Sequence, residues 1–576
     1  MWLSLVERCV RDAEVASSNL VTPTLMSENV RFSLFYCPLL VYNIYIFYIE
    51  KMEIAPFMKK KALHVTFVSS LIFVAIFLRL YNLNILPLEM HIDEAGLGLN
   101  AWSIANYGTD RYGNFMPICP SNFYGEQSAF YTYFCAILVK FFGLNIYTIR
   151  LPGVIMGILT VIFGSLLMKE KWGNKGLYTG LILFGICPYF IMNCRFALDC
   201  NAMLGTLTIA LFSLVRLLKS IEKNPKKNYY GFFLLTGVLF GIVLYTYIIA
   251  AIVIAVFFIL FGLYYLFYKK ENRGKRFLQL LFTAIPLIIM SIPLVLVVCV
   301  NYFDWEPIKT AFFSIPKMAV NRTEEVGLSF STLPGKIKKL VYMFTSDGKY
   351  GSSDTYWTMY KISPFFIIFG GLLSVVNAVK EISHRKLDIN ICMLFISFSE
   401  IVMFILCGLL TYHINGIFVA LVYFCLYGIF GLLSFLKKTP IQVGFCILLT
   451  FLYGISFVGF TKEYYFKDNS VAFQVYKGTD EALSLLDEEQ LKKEIYFLDE
   501  TAIFYFLLNP ISPEEFAASC DELGYIKDYQ NLHFYVPESY SENHVYICNK
   551  SSGFANILSE TYSMKETKHY RVFYME

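Results

Sequence analysis

Charge is scarce in this chain. Of its 576 residues only 16% are Asp, Glu, Lys or Arg, while 57% are hydrophobic and 18% aromatic. Soluble domains carry about a quarter charged residues, so this composition excludes one and points to a polytopic membrane protein. An excess of either sign is missing too: the formal net charge is +4, which gives no ground for a nucleic-acid partner. The fourteen cysteines include no CxxC pair and no Cys/His cluster at zinc spacing, so most read as membrane-core filler. Cys520 and Cys548 share the tail and form the one candidate disulfide. No strand precedes Gly96 and Gly98, which removes a nucleotide-binding loop. No internal repeat is visible.

The N-terminal part stands apart. Residues 1–30 are polar and unpatterned, and 31–49 form an apolar-aromatic run long enough to span a bilayer. No small-residue cleavage site follows it, so it does not read as a secretory signal. The SSNLVTPT stretch resembles a translated transfer-RNA gene. Residues 1–57 are therefore expected to be a doubtful extension, with the natural start at Met52 or Met58.

From Met58 the pattern becomes regular. Lys59, Lys60 and Lys61 precede an apolar helix at 62–80, and further spans follow at 150–168, 176–191, 201–218, 229–246, 250–268, 277–300, 361–379, 389–410, 414–435 and 440–460. The run at 127–142 is only about 16 residues long and carries Lys140. If it lies along the interface, the basic loops at 169–175, 219–227, 269–276 and 380–386, with Lys437 and Lys438, all share the side of Lys59–Lys61. The positive-inside rule selects that arrangement. It gives about eleven spans, with the N-terminus inside and the C-terminus outside. The transmembrane domain covers 58–460, with outer loops at 81–149 and 301–360 that are long, aromatic and Gly/Pro-punctuated. Such loops usually carry function.

The outer segments hold the candidate residues. HIDEA at 91–95 sets Asp93 and Glu94 beside hydrocarbon, where carboxylates are costly unless paired, hydrated or at work. The alternative is a helix start, with Asp93 as cap and Glu94 favoured by the dipole. Arg150 re-enters the membrane and either snorkels to headgroups or forms an ion pair. Arg195 and Asp199 sit four apart in NCRFALDCN, a spacing that also suits a local ion pair. Arg322 and Lys349 in the second loop could meet a phosphate or anionic headgroups. His413 lies in the last turn, where a lone His is most often a hydrogen-bonding structural group.

In order along the chain, these segments resemble the GT-C glycosyltransferases, in the branch of protein O-mannosyltransferases and the lipid A aminoarabinose transferase. The resemblance rests on RLYNLNILPLEMHIDEA, then Tyr107-Gly108-Thr109-Asp110 and Gly113, then an aromatic interfacial helix, FFGLNIYTIRLPG and CPYFIMNCRFALDCN. It is specific over 80–205 and architectural over 60–460. Two places depart from it. The proline pair common at the head of the interfacial helix is replaced by YGEQSAFY, with Glu126 or Gln127 in its place. The later Arg/Asn turn reads YHING, with His413.

The resemblance implies a polyprenyl-phosphate-linked sugar donor in the bilayer and a hydroxyl acceptor (protein, lipid or cell-surface polymer) at the outer face. Phosphate departs as a stable anion, so the acceptor needs a base more than the leaving group needs an acid. By resemblance Asp93 is the catalytic residue, with Glu94 supporting it, and direct displacement inverts the anomeric centre. Arg195 and Arg322 are the leading cations for the phosphate, with Arg150, Glu126 and His413 as further substrate contacts. Asp199 balances Arg195 or joins Asp93 around a divalent metal, a hard cation that carboxylates suit; no cofactor is required. A bacterial plasma membrane is the expected location. The competing reading is a transporter or flippase for a lipid-linked sugar, which repeated halves and interrupted mid-membrane helices would support.

Beyond 460 mixed patterning begins. Residues 481–493 and 513–523 read as helices and 494–499, 544–549 and 570–576 as strands, a small extracytoplasmic α/β domain over 461–576. It contains no catalytic constellation and is expected to cap the membrane part.

Overall fold

The computed structural model describes residues 57–87, 90–123, 125–318, 333–345, 356–407, 414–466, 475–499, 501–550, 552–567 and 569–575. The 31–49 run and the proposed start at Met52 lie outside them. The chain begins with α1 (Phe57–Leu80) and α2 (Ile92–Tyr107), then a hairpin of β1 (Ser121–Asn122) and β2 (Gly125–Glu126). Next come α3 (Ala129–Phe142), α4 (Ile146–Ile186), α5 (Pro188–Met192), α6 (Met203–Lys223), α7 (Tyr230–Thr246), α8 (Ala250–Phe267) and α9 (Arg273–Tyr302). A second small hairpin, β3 (Ile308–Lys309) and β4 (Ser314–Ile315), precedes α10 (Leu333–Thr345), α11 (Ser363–Ser383), α12 (Ile389–Leu406), α13 (Ile417–Phe435) and α14 (Thr439–Phe466).

Among the described residues eight helices are long and apolar enough to cross a membrane, and α1, α3 and α7 add shorter apolar segments. The 41-residue α4 breaks at Gly173, whose φ of 61° and ψ of −144° are not helical. Its two arms fold back on each other through small residues, Gly176 against Met168 and Gly180 against Ser165. The basic segment 169–175 is that turn. With α4 counted as two arms, every one of the eleven expected crossings has a helical counterpart. The 14-residue α3 is about 21 Å long at 1.5 Å per residue, too short to span.

Two ends differ in kind. At one, Lys171 pairs with Asp388 and, at 3.5 Å, Glu381; Arg216 and Lys219 both reach Glu170. The other end gathers the long segments: Ile118 N–H donates to Ser314 O (3.0 Å), Ile248 N–H to Ser128 Oγ (3.2 Å) and Asn415 Nδ2 to Cys200 O (2.9 Å). The sorting of loops that the basic clusters imply is thus the sorting the fold adopts.

The C-terminal domain joins the second end. It comprises α15 (Val475–Leu483), β5 (Glu494–Phe497), α16 (Ala502–Leu508), α17 (Pro513–Ser519), β6 (Asp528–Tyr529), β7 (Leu532–His533), β8 (His544–Asn549), α18 (Gly553–Leu558), β9 (Ser563–Glu566) and β10 (Tyr570–Tyr574). The six strands run in the order β6-β7-β5-β8-β10-β9, with β5 parallel to both its neighbours. The three expected strands are the middle ones, each carrying a buried run. The helix expected over 481–493 instead occupies Val475–Leu483, and α16 was not anticipated. Cys520 and Cys548 are both free thiols. One apolar core runs from this domain into α2 and α3, and α16 lies on α2 where Gly98 leaves room for Leu507.

Candidate active site

Residue His91 starts α2. Its extended backbone (φ −72°, ψ 146°) ends the preceding chain, its Nδ1 accepts the Asp93 N–H at 3.2 Å, and its own N–H donates to Glu94 Oε2 at 3.3 Å. The cap is therefore His91, not Asp93. The helix stops at Gly108, whose φ of 72° is the left-handed conformation that glycine tolerates, with its N–H on Ile104 O.

Glu94 and Asp93 diverge completely. The Glu94 carboxylate is fully buried and pairs with Arg150, Nε to Oε1 at 2.7 Å and Nη2 to Oε2 at 3.2 Å. It also accepts the Ala197 N–H at 3.0 Å, and Arg150 Nη1 goes on to Leu83 O and Pro87 O. Glu94 thus ties the start of α2 to α4 and to the turn after α5. The structure thus pairs Glu94, expected as a catalytic helper, with Arg150, expected as a substrate contact. The pair is a structural ion pair, saturated by carbonyls and amides. Asp93 keeps a side chain about 36% exposed. Its Oδ1 accepts from Asn122 Nδ2 at 3.0 Å, and its Oδ2 lies 3.4 Å from His91 Nδ1.

Arg195, expected at a phosphate, is held within the protein. It is buried, with Nη1 on Leu78 O and Arg79 O (3.0 and 2.9 Å) and Nη2 on Tyr81 O and Leu86 O (2.8 and 3.1 Å). The end of a helix leaves carbonyls without partners, and the exit of α1 is satisfied by this one guanidinium, flanked by the rings of Tyr464 and Tyr465. Arg322 and His413 lie outside the described residues, as do Lys349 and the rest of the 346–355 stretch.

What the fold brings together is the hairpin segment 121–128 with three carboxylates. Asn122 holds Asp93, and Ser128 N–H donates to Asp199 Oδ2 at 2.8 Å. Glu126 is buried opposite Ser121. Burial pushes the Cys119 thiol up, and the charges of Glu126 and Asp199 add to it. Asp93 and Asp199, the expected ion ligands, each spend oxygens on neutral donors. Among the described residues no three His, Cys, Asp or Glu side chains converge.

Three residues that support the hairpin, Asp110, Asn100 and Arg111, were not among the expected site residues. Asp110 accepts the N–H groups of Tyr112 (3.1 Å), Asn114 (2.9 Å) and Ser121 (3.2 Å). Burial raises its carboxyl despite these bonds. Asn100 donates to Ser121 O at 2.8 Å and accepts Arg111 N–H at 3.2 Å. Arg111 is buried and donates to Gly96 O and Asn122 Oδ1, both at 2.8 Å, and to Tyr112 Oη at 3.0 Å. The rings of Tyr112, Phe123 and Phe516 surround its guanidinium at 4.8, 5.0 and 5.6 Å. Beside it opens a cleft of about 150 Å³ between the hairpin turn and the C-terminal domain, lined by Phe123, Phe506, Phe516, Tyr525 and Lys527. A turn-rich polar segment flags such a region in sequence; it does not say which side chains face inward.

With this arrangement in view, the comparisons are informative. Residues 126–296 match the family described as dolichyl-phosphate-mannose-protein mannosyltransferase. The crystal structure of ArnT from Cupriavidus metallidurans bound to undecaprenyl phosphate superposes with a TM-score of 0.50 at 13% identity, covering 90% of this chain and 98% of that one. This is a GT-C fold. The Archaeoglobus fulgidus oligosaccharyltransferase in complex with Zn and sulfate is more distant, at TM-score 0.45 and 15% identity over 68% of this chain and 52% of that one. No curated protein matches by sequence. The GT-C fold confirms the multi-pass helical architecture with a small C-terminal sheet domain. The family match begins at Glu126 and ends in α9, so Asp93 lies upstream of it.

Proposed function

We propose that this GT-C protein is a membrane glycosyltransferase that moves a sugar from a polyprenyl-phosphate carrier to a hydroxyl acceptor, with Asp93 as the base. The observation that carries the reading is the divergence of the HIDEA carboxylates: Glu94 is buried and saturated, whereas Asp93, with Asn122 on one oxygen and His91 3.4 Å from the other, keeps a side chain about 36% exposed at the loop-bearing end. A carboxylate so placed accepts the acceptor's proton while the hydroxyl oxygen attacks C1 and the C1–O bond to phosphate breaks. General-base help of this kind is worth about 10²–10⁴ in rate. In-line attack opposite the phosphate inverts the anomeric centre. Polyprenyl phosphate leaves as an anion, so a cation beside it lowers the barrier. Arg195 and Arg150 are committed elsewhere, which leaves Arg322 as the proposed phosphate partner. The family match and the lipid carrier in the ArnT structure support the donor class.

The test is mass spectrometry of lipids that co-purify from native membranes with the wild type and with Asp93→Asn. The variant binds donor but cannot activate the acceptor, so a polyprenyl-phosphosugar enriched in it is the expected result and names the sugar. Only bulk phospholipid in both samples overturns the reading and returns the transporter to first place.

A further inference from the structure

Asp93 is the end of a continuous chain of hydrogen bonds. Asn122 Nδ2 donates to Asp93 Oδ1 at 3.0 Å, and Asn122 Oδ1 accepts from Arg111 Nη2 at 2.8 Å. The same Nη2 donates to Tyr112 Oη at 3.0 Å, and Tyr112 Oη donates to Gly524 O in the C-terminal domain at 3.1 Å. The direction of the chain follows from chemistry. A guanidinium has donors only, so the atom of Asn122 facing Arg111 is the amide oxygen. The amide nitrogen is then left facing Asp93, and a donor there is accepted by the carboxylate form. Tyr112 is stacked edge-on against Phe516 of α17, and burial keeps its phenol protonated, as the bond to Gly524 requires. The space for this arrangement is reserved: a Cβ on Gly96 would collide with Asn122 Oδ1 and Arg111 Nη1.

We propose that Asn122, oriented by Arg111, is the positioning residue for Asp93, and that the C-terminal domain locks this relay through Gly524 and Tyr112. This rests on the reading of Asp93 as the base. Arg111 has no carboxylate partner in the relay; it is a buried cation whose polar contacts are a carbonyl, an amide oxygen and a phenol. Asn122 therefore has one arrangement, its oxygen on Arg111 and its nitrogen on Asp93. His91 adjoins Oδ2 on the same helix, and Glu94 is neutralised by Arg150. The domain that the sequence suggests as a cap is then a part of the catalytic scaffold.

The relay is testable without a substrate. The full-length protein in lipid nanodiscs is labelled with a carbodiimide and an amine nucleophile across pH, and labelling at Asp93 is read by peptide mass spectrometry. Exposed Glu560 serves as the internal reference. Asn122→Ala removes the donor and moves the Asp93 labelling midpoint to higher pH. Asn122→Asp sets a second carboxylate beside it and moves the midpoint further, by about one pH unit or more. Tyr112→Phe keeps the ring and cuts only the tie to Gly524, giving a smaller shift in the same direction. A purely structural role predicts lost stability with coincident Asp93 curves. Coincident curves for both Asn122 variants, with the reference peptide unchanged, overturn the proposal. A shift in them without one in Tyr112→Phe overturns its C-terminal half. Failure of the underlying reading shows separately: Asp93→Asn then accumulates no donor lipid although the labelling curves move.

Discussion

At the scale of single residues, adjacent carboxylates of one motif divide into two jobs. Asp93 and Glu94 follow each other on α2, about 100° apart around the helix. That rotation alone sends Glu94 inward to Arg150 and leaves Asp93 on the rim. Glu94→Gln strips the charge from a buried pair and strands Arg150 among carbonyls, at a cost of about 3–5 kcal/mol. Its expected phenotype is low yield and a lowered thermal midpoint in detergent, whereas Asp93→Asn stays folded. Equal stability of the two variants would contradict this division. The sequence placed both residues at a functional edge, yet burial, which decides between them, is a property of where α4 and the 195–202 turn come to rest. The same holds for the arginines. Arg195 looks like a phosphate ligand in a linear reading because a free guanidinium is costly in a membrane; the structure shows carbonyls at the exit of α1 meeting that cost, and Glu94 meeting it for Arg150.

At the scale of elements, short polar segments do the gathering. The β1–β2 hairpin is only two residues a side, has no hydrophobic alternation to announce it, and still holds Asp93 through Asn122, while Ser128 just beyond it holds Asp199. In the C-terminal sheet the central strands β5, β8 and β10 were legible because they are runs of buried apolar residues. The edge pieces β6, β7 and β9 were not, being brief and polar. One edge is held by His533, whose ring nitrogens lie 2.6 Å from Asp528 Oδ1 and from Glu494 Oε2 and whose ring stacks on Tyr496. Burial disfavours the imidazolium, but the hydrogen bonds and charges of Asp528 and Glu494 outweigh it and raise its pKa. A raised histidine contributes stability that is complete below its unfolded pKa of about 6.5 and is lost as pH rises through the folded value. Amide exchange in β5–β7 is therefore expected to quicken, beyond the intrinsic pH effect, from pH 6 to 8. His533→Gln should remove that extra dependence; an unchanged profile would refute the clamp.

At the scale of the whole molecule, the two ends differ in chemistry as well as in shape. One carries the Lys171, Arg216 and Lys219 ion pairs; the other carries the hairpins, the candidate site and the sheet domain. By the positive-inside rule the basic end is expected in the cytoplasm. Single cysteines introduced at Lys226 in the α6–α7 loop and at Glu560 after α18, in a background lacking the exposed native thiols, test this. In intact cells a membrane-impermeant maleimide should label position 560 and not 226, with both labelled after lysis. The reverse pattern would invert the topology and move the site to the cytoplasmic face.

The sequence by itself determined that the chain is a multi-pass membrane protein, where its helices run and which loops share an end. These follow from hydrophobic run length and the placement of lysines and arginines, which are local quantities. Only the tertiary structure decided which HIDEA carboxylate is buried against an arginine and which is part-exposed, that Arg195 serves carbonyls, and that Arg111, Asn122 and Gly524 stand in line behind Asp93. Those are relations between segments up to about four hundred residues apart, as from Tyr112 to Gly524, and no local pattern encodes a hydrogen bond across such a distance.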